Sequence, residues 1–233
     1  MLVPVLRVLG LRVIYDVHEN VPADLLYKPY LGPAGRRLAS LAYRLAEWLL
    51  LDGAATVHVL EEIARAYRQP KVVVRNLPRL DADVAGAGPA TRTEPGRGRL
   101  VYCGILAEDR GALTMIDALA ELLRGGTDCE LLLIGEARDA ALVERMRAAA
   151  GRAGVTDRVL MPGAMPYPEA MAEVGASDVG LCLMHPSPNN RISLPNKIFE
   201  YMWMHLPVVV SDFPKWRGYV GQLGAGLHCD PTD

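Results

Sequence analysis

The feature that most limits how this chain can fold is a regular exchange of period. Short runs rich in Val, Ile and Leu alternate with segments of helical spacing from one end to the other. Such a βα repeat buries its apolar faces by laying strands side by side in mostly parallel sheets with helices on the faces, so the class is α/β. Strands are expected at 12–17, 55–60, 71–75, 99–103, 130–134, 158–161, 179–183 and 208–211. The longest and most periodic helices are expected at 38–51, 112–124 and 140–153. The apolar start, MLVPVLRVLGLRVIYDV, is interrupted by Arg7 and Arg12, and no small-residue cleavage site follows. It reads as a helix end stopped at Gly10 and then a strand, not as a signal peptide or a membrane span.

Composition removes several classes. With 51% apolar and 22% charged residues the chain is neither disordered nor collagen-like. Twenty-five Lys plus Arg against 27 Asp plus Glu give a net charge of -2, so no global basic field points to nucleic acid, and any anion must be held locally. Cys103, Cys129, Cys182 and Cys229 form no CxxC pair, and three of them lie in apolar runs. They are expected to be reduced, buried thiols of a cytoplasmic protein, not a disulfide framework or a zinc site.

One stretch breaks the rhythm. LDADVAGAGPATRTEPGRG, at 80–98, is dense in Gly, Ala, Pro and Thr with no apolar period, as a connection between domains would be. The expected organisation is a first domain at 1–80, a linker at 81–98 and a second domain at 99–233. About three strands precede the linker, fewer than a doubly wound domain usually carries, and the chain stops at GLHCDPTD without a closing helix. Both ends therefore read as cut.

The segment with most chemistry is SLPNKIFEYM at 193–202, followed by HLPVVVSD at 205–212. Ser193 or Pro195 opens a helix, so the first-turn amides near Asn196 and Lys197 are left without internal partners. Together with the macrodipole and the Lys197 ammonium, they make that end attractive to a phosphate. Glu200 falls one turn further on the same face, where a carboxylate could accept from a pair of vicinal hydroxyls such as those of a ribose. An ordinary amphipathic helix, with Lys197 solvated and paired to Glu200, explains the same spacing, and spacing alone does not choose between them.

PNKIFEYMWMHLPVVVSD resembles the donor-binding helix and following strand of nucleotide-sugar glycosyltransferases of the GT-B fold, specifically glycosyltransferase family 4, with Glu200 and Pro207 in place. Other segments match that family in order. LVYCG at 100–104, with Arg110 and Gly111 after it, resembles its first donor-domain strand and phosphate loop. LLLIG at 131–135 resembles the second strand with its glycine turn, and VLMPG at 159–163 the strand beside which the base lies. ASDVGLCL at 176–183 resembles the strand leading into the donor helix. VIYDVHE at 13–19 and VVVRN at 72–76 resemble strands of the acceptor-side domain. Each match alone is common, but together they run in the right order over nearly the whole chain.

The resemblance implies two Rossmann-like domains, the first incomplete and the second lacking its final helices. It also implies retaining transfer of a sugar from a nucleoside diphosphate sugar to a carbohydrate or lipid-linked hydroxyl, in the building of a polysaccharide or glycolipid. In that reading His18, Arg110 and Lys197 act on the donor. Gly104, Gly135, Gly163, Leu194, Pro195, Asn196 and Glu200 bind it. Arg110, Lys197 and the helix amides would stabilise the leaving diphosphate without a metal or other cofactor. Rivals are a nucleotide-sugar epimerase or hydrolase of the same fold, and a fragment that only binds the nucleotide.

Two departures weaken parts of the match. The family's E-x7-E pair has Ile192 in its first position, and Ile105 stands where an Arg often follows the loop glycine. His18 could equally be a turn residue bonded to Asp16 or Glu19. The remaining histidines have no ligand spacing, and no carboxylate pair suits a divalent cation. The helix at 36–51 mixes Arg36, Arg37 and Arg44 with Leu38, Leu41, Leu45, Trp48 and Leu49. It could rest on the inner face of an anionic membrane; packing on the sheet with the arginines in water is preferred.

Overall fold

The computed structural model describes residues 3–28, 30–78 and 96–232. The chain begins α1 (Val3–Val8), β1 (Ile14–Val17), α2 (Val21–Leu25), α3 (Pro33–Leu50), β2 (Ala55–His58), α4 (Glu61–Ala64) and β3 (Lys71–Val73). It continues β4 (Gly98–Cys103), α5 (Ala112–Arg124), β5 (Cys129–Ile134), α6 (Ala140–Ala153), β6 (Val159–Gly163), α7 (Tyr167–Gly175) and β7 (Val179–Cys182). Last come α8 (Pro188–Ile192), α9 (Asn196–Trp203), β8 (Val208–Ser211), α10 (Pro214–Gln222) and β9 (Gly226–Cys229).

These elements fall into two compact units. One comprises Met1–Leu77 with Ser187–Ser193, the other Pro78–Pro186 with Leu194–Asp233. Positions 81–95 of the expected linker lie outside the described residues. The short segment Ser187–Ser193 clusters with the first unit, where the Asn20 amide donates to Asn189 Oδ1 at 3.1 Å. Nothing in its apolar spacing announces that grouping.

The first unit holds a parallel sheet in the order β1-β2-β3. α3 overturns the expected packing. Leu38, Leu41, Leu45, Trp48 and Leu49 are exposed, whereas Ser40 and Glu47 are buried. Hydrogen bonds explain the inversion. Ser40 donates to the Pro22 carbonyl at 2.7 Å, the Tyr67 hydroxyl donates to Glu47 Oε1 at 2.6 Å, and the hydroxyls of Tyr43 and Tyr15 lie 3.4 Å apart. Ser40 and Glu47, the buried polar residues of α3, each find a partner, and the leucine stripe is turned outward. Among the described residues, no helix is long and apolar enough to cross a membrane.

The second unit is a doubly wound sheet of six parallel strands, in the order β6-β5-β4-β7-β8-β9. Strand order reverses between β4 and β7, and the crevice beyond the carboxyl ends there is where open α/β sheets take ligands. The run CELLLI of β5 is buried at every position because helices cover both faces. Met115, Ile116 and Leu119 of α5 and Leu142 and Met146 of α6 pack on one face. Met171 and Val174 of α7, Ile198 and Tyr201 of α9 and Trp216 and Val220 of α10 pack on the other. β9 is absent from the strands read from sequence. GLHC is short and mostly exposed and carries no apolar alternation, so pairing with β8, not patterning, makes it a strand.

Cys129 and Cys182 are buried as expected, but Cys103 is half-buried and Cys229 exposed, since β9 leaves its side chains uncovered.

Candidate donor site of the second unit

The loops after β4, β5 and β6 meet through their backbones. The Gly104 amide donates to the Ile134 carbonyl and the Gly135 amide to the Gly163 carbonyl, both at 2.9 Å. Gly104 and Gly135 have φ of +139° and +135°, a region that side chains disfavour. A Cβ on Gly135 would lie 2.1 Å from the Gly104 carbonyl oxygen, so the approach of the two loops requires glycine. A Cβ on Gly104 would lie 3.0 Å from Lys197 Nζ. The missing side chain leaves room for the tip of that lysine.

Lys197 reaches this loop because α9 is tightly anchored. Tyr201, fully buried, presents its hydroxyl to the backbone amide of Cys103, which donates to it at 2.8 Å. The Tyr201 ring fills the space beside Gly180 on β7, where a Cβ would fall 2.4 Å from a ring carbon. Pro195 is the N-cap, and no side chain caps the turn that begins at Asn196. Lys197 in that turn is only 7% exposed, with Nζ 3.8 Å from the centroid of the Tyr102 ring. It is not the solvated lysine of an ordinary amphipathic helix. Among the described residues, no carboxylate forms an ion pair with it. An ammonium held over an aromatic face, without an acid, retains most of its capacity for an incoming anion.

Glu200 lies one turn on and is half-buried. Burial holds its carboxyl above the usual carboxylate range, opposed by a hydrogen bond from Tyr167 and by the Lys197 charge. The Tyr167 hydroxyl donates to Glu200 Oε1 at 3.2 Å. Leu194 packs against the apolar cluster beneath the helix. The Cys103 thiol beside this group is pushed up to about 11 by burial and by the Glu200 charge, despite Lys197, so it remains a neutral thiol.

Arg110 closes a 3-10 turn at Glu108–Arg110. That turn is locked to the end of β7. A Cβ on Gly111 would lie 2.0 Å from the Leu183 carbonyl oxygen, and the His185 amide donates to the Asp109 carbonyl at 2.9 Å. The His185 Nε2 and Thr114 Oγ1 atoms, 2.9 Å apart, add a second tie. Arg110 directly precedes the Gly111 that sits against Leu183 beyond β7, and Lys197 reaches the loop after β4, so both cations belong to the carboxyl end of the sheet. Glycines 104, 135 and 163, Arg110 and the α9 group thus share one side of one unit. His18 belongs to the other unit, at the end of β1, where its Nε2 pairs with Asp16 Oδ2 at 2.9 Å in the turn arrangement. Tyr102, Tyr167 and Tyr201 have no sequence signal of their own. They join the site through contacts far apart in the chain.

A family model described as glycosyl transferases group 1 matches residues 97–233. The chain is 26% identical over 219 residues to an alpha-D-kanosaminyltransferase of Streptomyces kanamyceticus, covering 88% of this chain and 54% of that protein. It is 30% identical over 130 residues to a 2-deoxystreptamine glucosyltransferase of the same organism, covering 56% and 32%. The chain thus spans about half the length of the first relative and about a third of the second. Among solved structures, Anabaena HepE in complex with UDP-glucose superposes with a TM-score of 0.69 at 17% identity, over 99% of this chain and 62% of that one. The sucrose-phosphate synthase of Thermosynechococcus elongatus gives 0.67 at 17% identity, over 94% and 55%. These likenesses establish the GT-B fold. With more than half its length matched by the family model, the chain belongs to the group 1 glycosyl transferases.

Proposed function

We propose that the second unit binds the nucleoside diphosphate of a sugar donor, and that the whole protein transfers the sugar to a hydroxyl acceptor with retention of anomeric configuration. One observation carries this reading: a buried lysine, in the uncapped first turn of a helix, whose ammonium sits beside a glycine loop and, among the described residues, is in ion-pair contact with no acid. A diphosphate lodged there meets the Lys197 charge and the amides of the α9 turn, with Arg110 approaching from the turn after β4. The bond to be broken joins the anomeric carbon to a phosphate oxygen, so negative charge grows on the diphosphate as the sugar gains oxocarbenium character. Preorganised cations at that oxygen lower the barrier, and no step of the proposal requires a metal. Glu200, one turn deeper, takes the ribose hydroxyls. His18 is assigned to the sugar side of the reaction, and the acceptor is a carbohydrate or lipid-linked hydroxyl.

HepE was solved with UDP and with UDP-glucose, which makes uridine nucleotides the first to test. Calorimetric titration of UDP into the wild-type chain and Glu200→Ala should show affinity falling roughly tenfold in the variant, the usual scale for a hydrogen-bonded charge. Equal affinity in both would remove Glu200 from the nucleotide site. Release of free sugar from UDP-glucose without any acceptor would favour hydrolysis over transfer.

A further inference from the structure

Glu200 comes from α9, but the group that fixes its orientation comes from a different βα turn. Tyr167 is the first residue of α7, directly after Pro166, whose φ of −54° is constrained by its ring. Three residues further into that helix the side chains enter the core. Ala170, Met171 and Val174 are buried, so the position from which Tyr167 projects is set by the packing of the sheet. Tyr167 itself is 42% exposed, and its hydroxyl bonds Glu200 across 33 residues of sequence. A glutamate carries three rotatable bonds and a carboxylate with about four acceptor sites. One site is taken by Tyr167, and those that remain are enough for the two vicinal hydroxyls of a ribose.

We propose that Tyr167 is a positioning residue for the nucleoside: by holding Oε1 it aims the Glu200 carboxylate so that both vicinal ribose hydroxyls are read, and selection of ribose over 2′-deoxyribose depends on it. This inference rests on the donor-site reading above and deepens it. The groups facing the carboxylate are Tyr167 from α7, Lys197 from its own helix and the Cys103 thiol from β4. Tyr167 and Lys197 favour the ionised form, whereas burial opposes it. Loss of the tyrosine hydroxyl therefore costs both the orientation of the carboxylate and part of its ionisation.

The test is calorimetric titration of UDP and 2′-deoxy-UDP into wild type, Tyr167→Phe and Glu200→Ala, repeated from acid to neutral pH. At neutral pH, Tyr167→Phe is expected to bind UDP about threefold to tenfold more weakly while binding 2′-deoxy-UDP within about twofold of wild type, the scale of one hydrogen bond to a charged group. UDP affinity should fall on acidification as Glu200 takes up a proton, and in Tyr167→Phe the fall should begin at higher pH, because a donor that favours the carboxylate is gone. The phenylalanine ring keeps the surface packing, so a purely structural role would move neither the ratio nor the pH midpoint. If Tyr167→Phe keeps both wild-type values while Glu200→Ala loses UDP affinity, the Tyr167 inference is wrong and the donor site stands. If Glu200→Ala also binds both nucleotides as wild type does, the donor-site reading itself fails.

Discussion

The two ends of the six-stranded sheet treat charge in opposite ways. At the amino end, Arg99 is 4% exposed and fully engaged: its Nε donates to Glu130 at 2.6 Å, its guanidinium to Glu173 at 3.1 Å, and its backbone amide to Asp178 at 2.7 Å. At the carboxyl end, Lys197 is nearly as buried, yet its ammonium lies over the Tyr102 ring beside a glycine loop and, among the described residues, forms no ion pair; Glu200 one turn on acts on it only at longer range. A paired buried charge is a structural element. One left without an acid carries a desolvation cost that only an arriving anion offsets. On the proposed reading the same unit separates holding itself together from holding a ligand, and variants at the two ends should separate stability from affinity.

The largest expected effect lies at the amino end. Arg99→Met leaves Glu130 with only Arg97, 3.8 Å away, and should lower unfolding stability by about 3 kcal/mol in urea titration. Nucleotide affinity of the folded fraction should stay at the wild-type value. If affinity fell with stability, the two ends would not be separable.

Gly104→Ala sharpens the carboxyl end. An alanine there must adopt φ of +139°, and its methyl group meets Lys197 Nζ at 3.0 Å. Stability should fall by about 1–3 kcal/mol from backbone strain. UDP affinity should fall roughly tenfold, because the ammonium is displaced. Undiminished affinity would show that Lys197 does not need its place beside the loop.

The smallest effect concerns Glu200. Its carboxyl is raised above the ordinary range in the folded chain, so the folded state holds that proton more tightly than the unfolded state does. The resulting penalty on the ionised form is absent below the ordinary carboxylate range and complete once pH exceeds the raised value. Glu200→Gln should therefore match wild type in acid and gain relative stability as pH rises to neutral. The gain should stay below about 1 kcal/mol because the group is half exposed. A gain that instead grew on acidification would contradict the direction assigned to Glu200.

Legibility from sequence followed the same division. Strands such as CELLLI and VVVS carry their burial in their composition, and helical spacing puts the cation and carboxylate of PNKIFE on one face, although only the family resemblance marks them as a nucleotide site. What sequence hid depends on long-range hydrogen bonds. Tyr201 reaches Cys103 across 98 residues, and Tyr167 reaches Glu200 across 33. α3 packs against its sequence pattern for a related reason. Its leucine stripe is the stronger pattern, but Ser40 and Glu47 have partners in the first unit and the leucines do not displace them. β9 lacks any apolar alternation and is a strand only because β8 pairs with it.

The central claim is that Lys197 serves an anion and not the fold. It is tested most directly by urea unfolding of wild type and Lys197→Met, each with and without saturating UDP. Without nucleotide, the methionine variant should be as stable as wild type or more so, and UDP at about a hundred times the wild-type dissociation constant should add about 2.7 kcal/mol to wild type and little to the variant. A variant that is less stable on its own, and that gains from UDP as much as wild type does, would contradict it.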